Sequence, residues 1–265
     1  MMNKVLFKQE NDYKVSVIIP TYNRKDTIKR CIESILNQTK PVYEIIVVDD
    51  GSSDNTVEII QCIKCDYLKL IKQNHRGAQA ARNLGIVNAN GNYIAFLDSD
   101  DEWMPNFLET QMAYLNKGNE DSILYSDCYV YDEIKKKKRI WKLPEAGKDR
   151  YKFFLIHQGP MFQSMIMKKE KLFAIGLLDE QVTAYQEWDT VIRLAKDNTF
   201  MHIKKPLFIY HLHKGETISK NKKKSIKGYN YIIRKYRKEI FNELGIEGII
   251  FHRKNLFKLF TGFNC

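Results

Sequence analysis

Gly91 to Asp101 reads GNYIAFLDSDD. Five apolar residues, Tyr93 to Leu97, run without a break and give way at once to Asp98-Ser99-Asp100-Asp101. A short apolar run bounded by polar residues predicts a buried strand over Asn92–Leu97. The acids behind it lie where an open α/β sheet binds its ligands, in the crevice beyond the carboxyl ends of the strands. Two carboxylates at i and i+2 can point the same way where the chain turns. Mg²⁺ pairs one or two carboxylates with substrate phosphates. The plainer reading is a helix start, since acids before Met104 would suit a helix dipole.

Towards the amino terminus the same logic repeats. Val15-Ser16-Val17-Ile18-Ile19 predicts a strand stopped by Pro20, Glu44–Val48 a second, and Tyr67–Ile71 a third. Ile28, Cys31, Ile32, Ile35 and Leu36 form one helical stripe between the first two. Thr56–Ile63 repeats that spacing, and Gly77–Ala89 predicts a helix of small residues. Strands joined by helices imply a parallel sheet covered on both faces. A polar cluster follows each strand: Pro20–Arg24, Asp49–Asp54, Asn74–Gly77 and Asp98–Asp101, all on one edge. Asp49 and Asp50 read either as a turn before an N-capped helix or as acceptors for a nucleobase or ribose. Arg76, Arg82 and Asn83 are their basic counterpart, suited to phosphate oxygens or to surface ion pairs.

Towards the carboxyl terminus the pattern turns mixed. Met104–Leu115, Lys168–Ala174 and Glu187–Lys196 read as helices. Ile123–Tyr131 and Phe200–Tyr210 read as strands, and Asp132–Arg139, with four consecutive lysines, as a solvated hairpin tip. Residues 1–218 are read as one domain, and 219–265 as a basic helical extension. In that extension Tyr229, Ile232, Ile233, Tyr236 and Ile240 fall at helical spacing among Arg and Lys, and Phe251, Phe257, Phe260 and Phe263 follow. Such helices lie on anionic membranes or pack on the body or on a second subunit.

The chain has 265 residues, and 44% hydrophobic content excludes a disordered polymer. Its longest apolar run is five residues against the ~20 of a membrane-spanning helix. The apolar stretch within Met1–Glu10 is too short for a secretory signal, which predicts a cytoplasmic chain, peripheral on the inner membrane face if the extension binds lipid. Residues 214–265 hold 13 of the 43 Lys and Arg but only 4 of the 32 Asp and Glu, so the net +11 belongs to the tail. No zinc finger or RNA-binding signature accompanies it, which argues against nucleic acid. Five cysteines, an odd number, argue against a disulfide framework. Cys62 and Cys65 read as two small residues at a helix end.

Val15–Arg24 (VSVIIPTYNR), Val47–Asp54 (VVDDGSSD), Arg76–Gly85 (RGAQAARNLG), Gly91–Asp101 and Gln186–Ala195 (QEWDTVIRLA) together resemble, in order and spacing, the family 2 nucleotide-sugar glycosyltransferases of the GT-A fold. The resemblance covers about residues 13–215. It implies a Rossmann-like nucleotide-binding half and a mixed-sheet acceptor half. It also implies inverting, metal-dependent transfer from a nucleotide sugar, a UDP-sugar first, to a hydroxyl of a lipid-linked surface glycan. By position, Pro20, Tyr22 and Asp50 fall where the family holds the donor base, and Arg82 where a basic residue faces the donor. Asp98-Ser99-Asp100 matches the Asp-x-Asp motif, with Asp98 at the ribose and Asp100 on Mg²⁺ or Mn²⁺. Glu187 falls at the general base, where many relatives read Glu-Asp against Gln186-Glu187 here, and Asp189 is the alternative. His213 falls in a late segment in which a histidine approaches the metal or diphosphate. Trp188 beside the base reads either as a sugar-stacking ring or as core.

Two other functions fit parts of the pattern. A nucleotidyltransferase would want a Gly-rich phosphate loop after the first strand, and Pro20–Arg24 has no glycine. A non-catalytic nucleotide-sugar-binding protein would have no need of both the Asp-x-Asp acids and Glu187.

Overall fold

The computed structural model describes residues 13–215 and 221–261. The amino-terminal stretch and Ser219, Lys220, Phe263 and Cys265 of the extension lie outside them. β1 (Val15–Thr21), β2 (Glu44–Asp49), β3 (Leu68–Lys72) and β4 (Tyr93–Phe96) are parallel in the order β3-β2-β1-β4. The alternation of β1 explains the layers. Ile18 enters one core with Ala81, Trp188 and Tyr229, while Val15, Val17 and Ile19 enter a second with Ile28, Cys31 and Ile32. So α1 (Ile28–Leu36) and α2 (Thr56–Gln61) cover one face, and α3 (Ala78–Asn88) covers the other. A Cβ at Gly85 would stand 2.5 Å from Ile18 Cγ2, so α3 sits this close to β1 only because residue 85 is glycine.

Pro20 lies inside β1 instead of ending it. Val15 and Thr21 carbonyls accept from Tyr43 and Asp50, which flank β2, while the Ile18 carbonyl accepts from Leu97. Alternate residues therefore face alternate neighbours. Pro20 faces β4, whose pairing has already ended at Ile18, so its missing N–H is not needed.

The second half completes a mixed sheet. β8 (Ile166–Lys168) runs antiparallel beside β4, and β6 (Ile123–Asp132) continues the order beside it. β9 (Phe200–Leu212) is parallel to β6, and β5 (Glu102–Trp103) pairs antiparallel with β9. β7 (Lys137–Trp141) forms a hairpin with β6. The helix expected from Met104 begins later, as α4 (Phe107–Tyr114), because Glu102–Trp103 pair with Phe208–Ile209 and Met104 donates to Leu207 O. The acids at 98–101 therefore do not cap a helix.

α5 (Arg150–Ile156), α6 (Lys169–Ala174) and α7 (Gln186–Ala195) complete the body. The extension forms α8 (Lys222–Lys235) and α9 (Arg237–Thr261). Tyr229, Ile232, Tyr236 and Ile240 are buried in the core that holds Trp188 and Val191. Among the described residues no helix is long and apolar enough to cross a membrane.

Candidate active site

The chain turns sharply after β4, with Asp101 N donating to Asp98 O at 3.0 Å. This turn fans the acids apart. Asp98 Oδ1 accepts from Arg82 Nη2 at 2.6 Å, and Asp98 Oδ2 from Gln163 Nε2 at 2.6 Å. The same Gln163 amide donates to Asp101 Oδ2 at 2.8 Å, and His211 N donates to Asp101 Oδ1. Burial, and then the charges of Asp100 and Asp98, push the Asp101 carboxyl well above the usual carboxylate range. Ser99 is buried between its neighbours.

Asp100 points elsewhere. Its Oδ2 meets His213 Nε2 at 3.0 Å and Arg24 Nη2 at 3.5 Å. Burial alone would raise its pKa, but the His213 hydrogen bond and the Arg24 charge outweigh it and hold Asp100 below the ordinary value. Arg30 Nη2 donates to Asp100 O at 2.7 Å and its Nη1 to Glu133 Oε1 at 3.1 Å. His211 spans Glu102 and Glu133, 2.9 Å from each.

Arg82, buried in α3, carries the cluster to α7. Its Nη1 donates to Gln186 Oε1 at 2.9 Å, and its guanidinium lies 4.5 Å from the Phe162 ring centre. Tyr185 precedes α7 in a left-handed conformation (φ 60°, ψ 38°), an uncommon one for a bulky residue, and so turns Gln186 and Glu187 into the cluster. Burial raises the Glu187 pKa, the Arg82 charge opposes this, and the Asp98 charge adds to it. Asp98, Arg82 and Glu187 thus act on one another across one site. Among the described residues no side chain hydrogen-bonds the Glu187 carboxylate, which feels Arg82 and Asp98 through their charges.

Asp189 does not join them. It is fully buried on the opposite side of α7, held by Arg193, by Lys235 Nζ at 2.7 Å and by Tyr236 Oη at 2.8 Å. Its Oδ2 is held by Arg193 of the same helix and its Oδ1 by Lys235 and Tyr236 of the extension, so both oxygens already have donors. Trp188 is core, its indole donating to Phe154 O at 2.6 Å.

At the other end of the crevice, Asp50 is buried beneath the β3–α3 loop. Its carboxylate accepts from Gln73 Nε2 and the Arg76 and Gly77 N–H groups, with His75 Nδ1 at 2.9 Å. The exposed ring of Tyr22 lies 4.3 Å, centre to centre, from His75. Pro20, two residues before Tyr22, is buried.

Asp100 and His213 offer one carboxylate oxygen and one ring nitrogen at a common point, a donor pair that Mn²⁺ accepts. Among the described residues no group of three His, Cys, Asp or Glu side chains gathers to hold a metal. The pair therefore fits a cation completed by substrate phosphates and water. Gln163, which sets Asp98 and Asp101, was not foreseen. It sits in a 3₁₀ turn of three residues, Phe162–Ser164, too short to leave a period. Arg24 and His75 stood within quoted polar clusters, but spacing gave them no role.

The model of glycosyl transferase family 2 matches residues 16–173. This chain belongs to that family. A glucosyltransferase of Escherichia coli, WfgD, is 33% identical over 220 residues, 82% of this chain and 84% of its own length. It is described as a UDP-Glc:alpha-D-GlcNAc-diphosphoundecaprenol beta-1,3-glucosyltransferase. An uncharacterized glycosyltransferase of Rickettsia conorii is 34% identical over 74% of this chain, which spans only 32% of that relative's length. Residues 1–349 of S. aureus TarS, solved with UDP-GlcNAc, superpose with a TM-score of 0.71 at 20% identity over 95% of this chain and 73% of that one. The likeness establishes the GT-A fold for this family 2 member. Glu187, His213 and the extension lie beyond the span of the family model.

Proposed function

We propose that this chain transfers a sugar, with inversion, from a UDP-sugar to a hydroxyl of a glycan carried on a lipid diphosphate. The observation that supports this most is the Arg82 bridge, which ties Asp98 behind β4 to Gln186, the neighbour of Glu187 at the head of α7. Tyr22, Pro20 and Asp50 would border the base and Asp98 the ribose. Asp100 and His213 would hold Mg²⁺ or Mn²⁺. A bound divalent cation would supply positive charge to the departing diphosphate. WfgD, named for a UDP-glucose donor and a diphosphoundecaprenol acceptor, supports the substrate classes.

An acceptor hydroxyl is a poor nucleophile at neutral pH. Glu187 would take its proton as the new bond forms, and attack from the face opposite the diphosphate inverts the anomeric carbon. Burial suits Glu187 to this task, because a carboxylate of raised pKa is a stronger base. Arg82 keeps Asp98 directed at the donor. The exposed α9 side chains Phe241, Ile246, Phe257 and Phe260, with Arg253, Lys254 and Lys258, would rest on an anionic membrane surface at the cytosolic face.

Glu187→Gln is expected to cut transfer by about 10²-fold or more, while UDP still raises the melting temperature as in the wild type. Turnover retained in Glu187→Gln would move the base elsewhere. Asp100→Asn should abolish the response to Mn²⁺ together with activity, and full wild-type activity in chelator would sink the cation assignment.

A further inference from the structure

The β6–β7 hairpin carries a basic, partly apolar surface that the reaction centre leaves unexplained. Residues 134–142 are all exposed, and they include Lys135, Lys136, Lys137, Lys138, Arg139 and Lys142. Lys135 approaches Asp132 only at 3.9 Å, and Lys138 lies over the Tyr129 ring at 4.0 Å. Among the described residues Lys136, Lys137, Arg139 and Lys142 pair with no acid. Ile134 precedes these cations in the turn, and Ile140 and Trp141 stand among them on opposite faces of β7, at 60%, 52% and 40% exposure.

The hairpin is moored to the candidate metal site. Glu133, at its base, accepts from Arg30, whose other nitrogen donates to Asp100 O. Glu133 N donates to Leu212 O, one residue before His213, and its carboxylate meets His211. The lysines therefore begin two residues from a side chain that is one arginine away from Asp100.

Lysines on an edge strand also guard against strand pairing, and β7 pairs only with β6 among the described residues. That role accounts for the charge. It does not account for an exposed Trp and two exposed Ile on the same edge, which invite association, or for the mooring to Asp100. We propose that the hairpin binds the acceptor's own lipid diphosphate, the basic side chains taking the phosphate oxygens and Trp141, on the same face of β7 as Lys137 and Arg139, the first prenyl units. The proposal rests on the glycosyl-transfer reading above and adds to it the site that recognises the carrier. A diphosphate bonded to an apolar chain matches this surface in both charge and hydrophobicity.

The test uses the full chain with Lys135→Gln, Lys137→Gln and Lys138→Gln combined with Lys136→Asn. Asparagine is chosen there because residue 136 has φ 51°. A control carries Lys222→Gln, Lys223→Gln and Lys224→Gln, and Trp141→Ser alone tests the apolar part. Binding is read by co-sedimentation with phosphatidylcholine vesicles containing undecaprenyl diphosphate, and with vesicles containing phosphatidylglycerol. The hairpin variant should lose about tenfold or more on the diphosphate vesicles, with phosphatidylglycerol binding unchanged and the control like wild type. No loss, or equal loss on both vesicles, overturns the proposal. In a turnover arm, kcat/KM should fall for GlcNAc on diphosphoundecaprenol but not for octyl GlcNAc. Failure of the wild type to glycosylate either acceptor would count against the transfer reading alone, since the vesicle arm still decides the hairpin.

Discussion

Glu187 and Gln163 show how single side chains set this site. Glu187 must be ionised to accept a proton, and its pKa lies above the ordinary 4.5. Activity is therefore expected to fall as pH drops through that raised value, so the acid limb of the kcat/KM profile should lie above that of an exposed glutamate. The profile of Glu187→Asp, measured beside it, should keep an acid limb at reduced rate. Gln163 donates one nitrogen to two carboxylates, its two N–H groups serving one each. Gln163→Leu leaves Asp98 and Asp101 facing each other with no donor between them. We expect kcat/KM to drop about tenfold or more, by the logic of an unpaired buried charge, with Gln163→Asn recovering part of it. Equal rates for all three proteins would remove Gln163 from the site.

At the scale of elements, α8 acts on α7. A Cβ on Gly228 would stand 2.6 Å from Ala184 O, so α8 rests directly on the backbone that leads into left-handed Tyr185. Lys235 Nζ bridges Asp179 at 2.6 Å and Asp189 at 2.7 Å, fixing the far side of the same helix. Lys235→Met would leave Asp189 with Arg193 and Tyr236 alone, at an expected cost of about 1–3 kcal/mol, read as a lower melting temperature. Asp179 adds a pH dependence. Burial opposes ionisation there, but the Lys235, Gln181 and Tyr231 hydrogen bonds prevail and its pKa is lowered from 3.8. A depressed pKa stabilises above the unfolded value and is lost as pH falls through the folded one. The Lys235→Met penalty should therefore shrink below about pH 4. A penalty that stays constant from pH 7 to 3 would disconnect Lys235 from these carboxylates.

For the whole molecule, α8 and α9 share the body's core. Four of their apolar side chains are fully or almost fully buried, Tyr229, Ile232, Tyr236 and Ile240. At ~1.5–3 kcal/mol each their loss is comparable to the ~5–15 kcal/mol that holds a domain together. Removing residues 219–265 is thus expected to abolish the cooperative thermal transition, and a truncated chain that melts like the full one would show that the extension is dispensable. The parallel half of this architecture was legible in the sequence. Strand periodicity is local: Val15–Ile19, Glu44–Val48 and Tyr93–Leu97 each state their own burial, and the polar clusters behind them mark the crevice edge. The acids at 98–101 stood out in the same way, whereas Glu187 was marked only by the resemblance to family 2 glycosyltransferases. The second half was only partly legible, because β5 and β8 exist through partners far along the chain, Glu102 through Ile209 and Leu124 through Ile166. The sequence by itself determined the sheet class and the acidic motif, since both follow from spacing within a dozen residues. Only the tertiary structure decided that Asp100 meets His213, that Gln163 serves Asp98, and that Asp189 turns away from Glu187. Those outcomes depend on which face of a strand or helix meets which distant residue, and spacing along one segment carries no information about that.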